Sequence, residues 1–209
     1  NTRSRGLGDV YKRQYLMSTG SAVAWNMPNR LNFLTIVPMF HCNGWGYPWT
    51  VPMLNGRTIC LRNIDVKKIF ELIDKYDVTH FGGAPIVLNM ITGAPASDRK
   101  KLKQKVYVLT AGAPPPSIIF KKMKELGFEV MHVYGLTETY GHVTQCAWND
   151  SWNEFDEEKQ NEIKARQGVR YPNTEGITVM DPESMKEVPK DGKTIGEIMI
   201  KGNVVMKGY

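Results

Sequence analysis

Between residues 57 and 133, short runs rich in β-branched and aromatic residues alternate with helix-length amphipathic stretches, and this alternation sets the architecture. Strands are expected over 57–61, 78–81, 106–110 and 128–133. Between them, Asp65 caps a helix whose apolar face is Ile69, Phe70, Leu72, Ile73 and Tyr76. Pro85 opens a second helix at its first turn, carrying Ile86, Val87, Leu88 and Met90. Ser117 begins a third, with Ile118, Ile119, Phe120, Met123 and Leu126, closed by Gly127. Strands and helices in this rhythm favour a parallel sheet joined by right-handed crossovers. Upstream, residues 15–25 read as a helix, residues 31–37 as a buried strand ending at Pro38, and residues 40–45 as a polar and aromatic loop. After Gly141 the texture changes. Residues 150–165 are acidic and polar, an exposed helix or a surface insertion. Short β-like runs follow at 176–180 and 195–200, set apart by Asp181-Pro182 and Asp191-Gly192. The expected fold is α/β, a parallel sheet with flanking helices in βαβ units, plus the start of a small antiparallel β subdomain.

The ends read differently from the middle. Residues 1–14 hold Arg3, Arg5, Lys12 and Arg13 against only Asp9, lack an initiator Met and an apolar core, and read as a non-native leader. The expected division is therefore 1–14 leader, 15–145 α/β part, and 146–209 a polar insertion with a β-rich part cut at its C-terminal end. The net charge of +6 raises the question of nucleic acid. Its main internal source, Arg99, Lys100, Lys101, Lys103 and Lys105, sits in a polar connection with no interleaved aromatics, so a solvated basic surface and no nucleic-acid partner are expected. No apolar run reaches the roughly 18 residues of a membrane span. Cys42, Cys60 and Cys146 have no regular spacing, which argues against a disulfide framework and for a reducing compartment. A cytoplasmic location is expected, or a peroxisomal one if the source is a plant. No oligomeric state is legible.

Open α/β sheets place ligands at the C-terminal ends of their strands. Two such ends carry unusual loops. In Thr110-Ala111-Gly112-Ala113-Pro114-Pro115-Pro116, small residues before a rigid proline run let a flat ring lie close to the backbone. An ordinary strand-to-helix turn explains the same residues equally well. The second loop is Tyr134-Gly135-Leu136-Thr137-Glu138-Thr139. There an aromatic can stack on a purine, a hydroxyl can bond a phosphate oxygen, and a carboxylate can hold Mg²⁺ directly or through water. Transfer of a nucleotidyl group calls for such parts because charge accumulates on phosphate oxygens during the displacement.

The run Val133 to Thr139 resembles the Y-G-x-T-E core motif of the acyl-adenylate-forming superfamily, which includes acyl-CoA synthetases, firefly luciferase and peptide-synthetase adenylation domains. Four more segments match in order. Pro38-Met39-Phe40-His41-Cys42-Asn43-Gly44 resembles the P-x-F-H-x-x-G motif, and residues 78–85 resemble the acyl-pocket segment. Ala111-Gly112-Ala113-Pro114 resembles the adenine loop, and the run from Gly196-Glu197 to Gly208-Tyr209 resembles the G-E-[IL]-x-x-x-G...G-Y motif. The resemblance covers residues 15–209. It implies that Tyr134 stacks on adenine with Gly112, Ala113 and Pro114 as the other wall, beside Gly135. It places Thr137 on the α-phosphate and Glu138 at Mg²⁺. It has His41 gate the acyl site and steady the carboxylate, and Trp45, Gly82, Gly83 and Gly135 shape the acyl pocket, with Trp45 limiting its depth. His80 and His132 are expected to be hydrogen-bonded core histidines. Cys42 suggests a thiol nucleophile, but the resemblance assigns the reacting thiol to CoA.

The implied activity is an AMP-forming acid–thiol ligase. A carboxylate attacks the α-phosphorus of ATP, giving an acyl-adenylate and pyrophosphate, and CoA then displaces AMP. The stretch from Phe40 to Trp45 and Arg166-Gln167-Gly168 look most like the short- and medium-chain branch, which activates fatty and related carboxylic acids. Gly82 and Gly83 stand where an amino-acid-activating domain would carry an aspartate. The resemblance also implies a lysine-bearing phosphate loop just before residue 15, a ribose-binding aspartate soon after residue 209, and a lid with a catalytic lysine beyond. The 209 residues alone are therefore expected not to complete the reaction. The alternative reading is a non-catalytic adenine-nucleotide-binding module. A dinucleotide-binding domain is disfavoured because no G-x-G-x-x-G follows any strand.

Overall fold

The computed structural model describes the backbone of residues 2–208 and the side chains of residues 11–208. Helix α1 (Thr2–Ala24) leads into β1 (Asn32–Thr35), a single turn α2 (Cys42–Trp45), α3 (Tyr47–Met53) and β2 (Arg57–Cys60). Then come α4 (Val66–Tyr76), β3 (His80–Gly83), α5 (Pro85–Gly93), β4 (Val106–Thr110), α6 (Ser117–Glu125) and β5 (Phe128–Leu136). Next are β6 (Gly141–Gln145), α7 (Glu157–Lys164), β7 (Val169–Arg170), β8 (Gly176–Met180) and β9 (Glu197–Lys201). The main sheet has the order β2-β1-β3-β4-β5-β6-β7. Its first five strands run parallel; β6 pairs antiparallel with β5 and with β7. β8 and β9 form the expected separate antiparallel ribbon. This is the α/β architecture that the alternation implies.

Local chemistry explains the helices. The Asp65 carboxylate accepts a hydrogen bond from the Lys68 backbone N–H at 2.7 Å, satisfying one of the free donors at the start of α4. Ile69, Phe70 and Ile73 of α4, Val87, Leu88 and Ile91 of α5, and Ile119, Phe120 and Met123 of α6 are all buried. They cover the face of the sheet formed by Leu34, Ile59, Phe81, Val106, Val108, Phe128 and Val130. Alternate residues of the same strands, Phe33, Leu109 and Val133, face the other way and pack with Trp25, Trp45 and Tyr47. Both faces of the parallel part are thus covered, as its continuous apolar strands require.

Several elements differ from expectation. β3 runs to Gly83 rather than ending at Phe81, because Gly82 and Gly83 stay in register with Leu109 and Thr110. β1 is shorter than the apolar run 31–37. α3 is hidden in the sequence by Pro48 and Pro52, yet Pro48 lies in its first turn, where the missing N–H is not needed, and Pro52 lies at its end. β6 returns the chain into the main sheet where a change of texture suggests a new unit, and β7 extends that sheet from beyond residue 146. The segment 150–165 holds a short 3-10 turn and α7, which buries Ile163 and joins α6 through a 2.9 Å Lys121–Glu157 ion pair. α1 passes without interruption across residue 15, while the side chains of residues 1–10, within the expected leader, lie outside the described residues, as does Tyr209. Within the basic connection, Lys100 and Lys103 pair with Asp74 and Lys105 with Glu129, a solvated charged face. Among the described residues no helix is long and apolar enough to cross a membrane.

Candidate functional site

The loop after β5 is shaped by one threonine and two glycines. Residues Thr137–Thr139 form a single 3-10 turn. Inside it the buried Thr139 hydroxyl accepts from the Leu136 N–H at 3.0 Å and donates to the Gly141 carbonyl at 2.8 Å. Tyr140 follows in the left-handed region, at φ 57°. The ladder between β5 and β6 slips by one residue at Tyr134/Gly135. There the two chains approach so closely that a Cβ on Gly135 would lie 1.8 Å from the Gly141 oxygen. From behind, Met17 of α1 packs on Gly141, and Gln14 Nε2 donates to the Tyr140 hydroxyl at 3.0 Å. The Met206 N–H donates to the Glu138 carbonyl at 2.8 Å. Thr137 is left exposed and Glu138 half-buried at the C-terminal edge of the parallel sheet.

Opposite this loop, His41 and α2 form the second wall. Cys42, Asn43, Gly44, Trp45 and Gly46 all have positive φ, at 42°, 44°, 60°, 56° and 79°. A left-handed conformation costs roughly 1–2 kcal/mol for a residue other than glycine, so this turn must be held by its surroundings. The Gly44 N–H donates to the His41 carbonyl at 2.9 Å, and Trp45 is buried. The Trp45 ring fills the space beside Gly82, where a Cβ would come within 3.2 Å of it. Cys42 Sγ lies 3.4 Å from Thr137 Oγ1, joining the two walls. The third wall is Ala111 and Gly112 at the end of β4; Gly112 has φ 96°, and its missing side chain leaves open space.

Between these walls lies a cavity of about 260 Å³, lined by His41, Cys42, Trp45, Ala111, Gly112, Gly135, Leu136, Thr137, Glu138, Gly141 and His142. Six of the residues singled out from sequence therefore share one cavity: His41, Trp45, Gly112, Gly135, Thr137 and Glu138. Five do not line it. Tyr134, beside the slip in the ladder, is half-buried, and Ala113 and Pro114 are exposed beyond Gly112. Gly82 lies behind Trp45, and Gly83 packs against Val87 and Leu88 of α5. A larger groove of about 780 Å³ is lined by Trp25, His80, Tyr107, Met131, Trp148 and others; of the motif segments only 78–85 reaches it, through His80, and none of the eleven candidate site residues lines it.

Glu138 is the single carboxylate in the cavity wall, and among the described residues no three His, Cys, Asp or Glu side chains converge. One carboxylate beside an exposed hydroxyl fits Mg²⁺, which is commonly held by one or two protein oxygens, substrate phosphates and water. His80 and His132 are core histidines as expected: His80 Nδ1 lies 2.8 Å from Thr79 Oγ1, and His132 Nδ1 lies 2.9 Å from the Ala165 carbonyl. Burial lowers the pKa of both, that of His80 to about 4. Sequence reasoning overlooked His142. It lines the cavity at 2% exposure, and burial pushes its pKa down to about 4. Its place follows from β6, which the sequence pattern does not reveal.

Fold and cavity together define an α/β domain with a candidate ligand site at the C-terminal ends of its parallel strands. The chain belongs to the AMP-binding enzyme family, which its residues 10–209 match. It is 48% identical over 201 residues to the acetate/butyrate–CoA ligase AAE7 of Arabidopsis thaliana, named as peroxisomal, covering 95% of this chain and 35% of that protein. It is 49% identical over 207 residues to the acetate–CoA ligase CCL3 of Humulus lupulus, covering 98% and 36%. The chain thus spans about a third of the length of these curated relatives. Among solved structures, the N-terminal domain of FACL13 from Mycobacterium tuberculosis superposes with a TM-score of 0.75 at 23% identity, over 95% of this chain and 47% of that one. The o-succinylbenzoate CoA synthetase of Bacillus subtilis, in complex with ATP and magnesium, superposes with a TM-score of 0.74 at 20% identity, over 95% and 38%. These two likenesses establish the shared fold.

Proposed function

We propose that the whole protein is an AMP-forming acid–thiol ligase that activates a short- or medium-chain carboxylic acid with ATP and passes the acyl group to CoA. The observation that carries this reading is the meeting of His41 and Trp45 with Thr137 and Glu138 in one cavity. A carboxylate seated between Trp45 and His41 would face a nucleotide phosphate held at Thr137. Bringing these groups together supplies orientation, and the Thr137 hydroxyl supplies a donor for charge developing on the α-phosphate. Glu138 would hold Mg²⁺, which when bound offsets the charge of the polyphosphate. Tyr134 and the 112–114 loop would bracket adenine outside the cavity, a placement that suits the exposed Ala113 and Pro114. The names of the relatives support the ligase class and a small acid. The three free cysteines suit a reducing compartment, in the simplest case the cytoplasm.

The test is formation of AMP and acyl-CoA by the whole protein from ATP, CoA and a panel of acids from acetate to long-chain species. Thr137→Ala is expected to lower kcat/KM by about 100-fold, the scale seen when one transition-state donor is removed. Nucleotide binding with no AMP formed on any acid would instead favour the non-catalytic nucleotide-binding module.

A further inference from the structure

The Thr137 hydroxyl is the donor aimed at the α-phosphate in the ligase reading, yet its side chain is exposed and its backbone forms a single 3-10 turn. A threonine has several staggered positions for its hydroxyl, and only some of them face a given ligand. The contact that selects among them comes from the opposite wall. Cys42 Sγ lies 3.4 Å from Thr137 Oγ1, across 95 residues of sequence, and both residues line the cavity. Cys42 is itself held in place. It opens the left-handed turn at φ 42°, and its half-buried side chain packs with the cluster of Trp25, Trp45 and Tyr47. Behind it the Gly44 N–H donates to the His41 carbonyl, and the buried Trp45 ring is seated against Gly82. The thiol is thus a fixed point against which the hydroxyl of an exposed loop rests.

Sulfur suits that place. A threonine hydroxyl has one proton to give and two lone pairs to accept with. Where the thiol donates to Oγ1, the threonine proton points away from Cys42 and stays free for a ligand. Where the hydroxyl donates to Sγ, the bond is weak, and a charged phosphate oxygen takes the proton in its stead. A carboxylate at position 42 would keep that proton. We propose that Cys42 is a positioning residue for the activation step, its thiol holding Thr137 in the rotamer that presents its O–H to the phosphate. The sulfur forms no covalent bond in this role, and the inference rests on the ligase reading above.

The test is a double-mutant cycle in the whole protein, read as kcat and as KM for ATP and for the acid. Cys42→Ala is expected to lower kcat and kcat/KM alike by about threefold to tenfold, the scale of one hydrogen bond made only in the transition state. In Thr137→Ala the same change is expected to cost nothing further, because no hydroxyl remains to be oriented. Cys42→Gly separates positioning from stability. Glycine takes φ 42° without the strain that alanine bears, so this variant should melt higher than Cys42→Ala and still be as slow. If Cys42→Ala fails to fold, judged by its melting transition, Cys42→Gly completes the cycle. No loss of kcat, a rise in KM alone, an equal loss with and without the Thr137 hydroxyl, or recovery of kcat in Cys42→Gly overturns this inference and leaves the ligase reading standing. No AMP formed by the wild type on any acid overturns both.

Discussion

Thr139 shows how a residue with no assigned chemistry can shape the loop that carries the proposed chemistry. Its hydroxyl is buried and bridges Leu136 to Gly141 across the turn that presents Thr137 and Glu138. Thr139→Val keeps the shape and leaves a backbone N–H and a carbonyl unpaired inside the fold. The expected loss is about 2 kcal/mol of stability, read from the denaturation midpoint of the chain. Activity in the whole protein should fall by more than the unfolded fraction explains, because the turn itself loosens. The roles proposed for Thr137 and Glu138 were legible only through the motif that the run Val133 to Thr139 resembles, since a lone Thr-Glu pair says little. Thr139 was not, since nothing in a single sequence separates a buried bridging threonine from an exposed one.

At the level of elements, the parallel strands and the helices α4 to α6 were legible from period and caps, as with Asp65 and Pro85. β6 was not. A five-residue strand, Gly141–Gln145, that opens on glycine and carries His142 has little period to read, and its partner β7 is only two residues long. The left-handed turn at α2 was equally invisible: Asn43, Gly44 and Gly46 enter positive φ readily, but Cys42 and Trp45 seldom do. That turn yields a graded prediction. Gly46→Ala adds a side chain whose nearest neighbours, in Met17 and Ser18, lie 3.6 Å away, so the cost is the left-handed conformation alone, about 1 kcal/mol. Gly44→Ala bears the same cost and also brings its Cβ to 3.2 Å from Pro48 and 3.4 Å from the Met39 backbone. It should destabilise more than Gly46→Ala. Chemical denaturation of the two variants checks the order, and the reverse order would rule out the turn as described.

Across the whole molecule, the buried histidines tie stability to pH. His80 sits between the rings of Trp25 and Tyr107, and His142 among Trp45, Tyr47 and Tyr171, each with a pKa lowered to about 4 by burial. Burial raises the pKa of Tyr47 well above its ordinary value and that of Tyr171 to about 12, so neither ring beside His142 titrates in this range. Between roughly pH 6.5 and 4 the unfolded chain binds a proton at each site that the folded chain refuses. Stability is therefore complete above about pH 6.5 and declines as pH falls toward 4, by an amount on the order of 3 kcal/mol for His142 when the window has been crossed. His142→Phe removes that site's proton uptake, so its stability should fall less steeply across the window than the wild type's. Denaturation curves at intervals from pH 7 to pH 4 compare the two slopes, and identical slopes would mean that His142 is not held neutral by the fold.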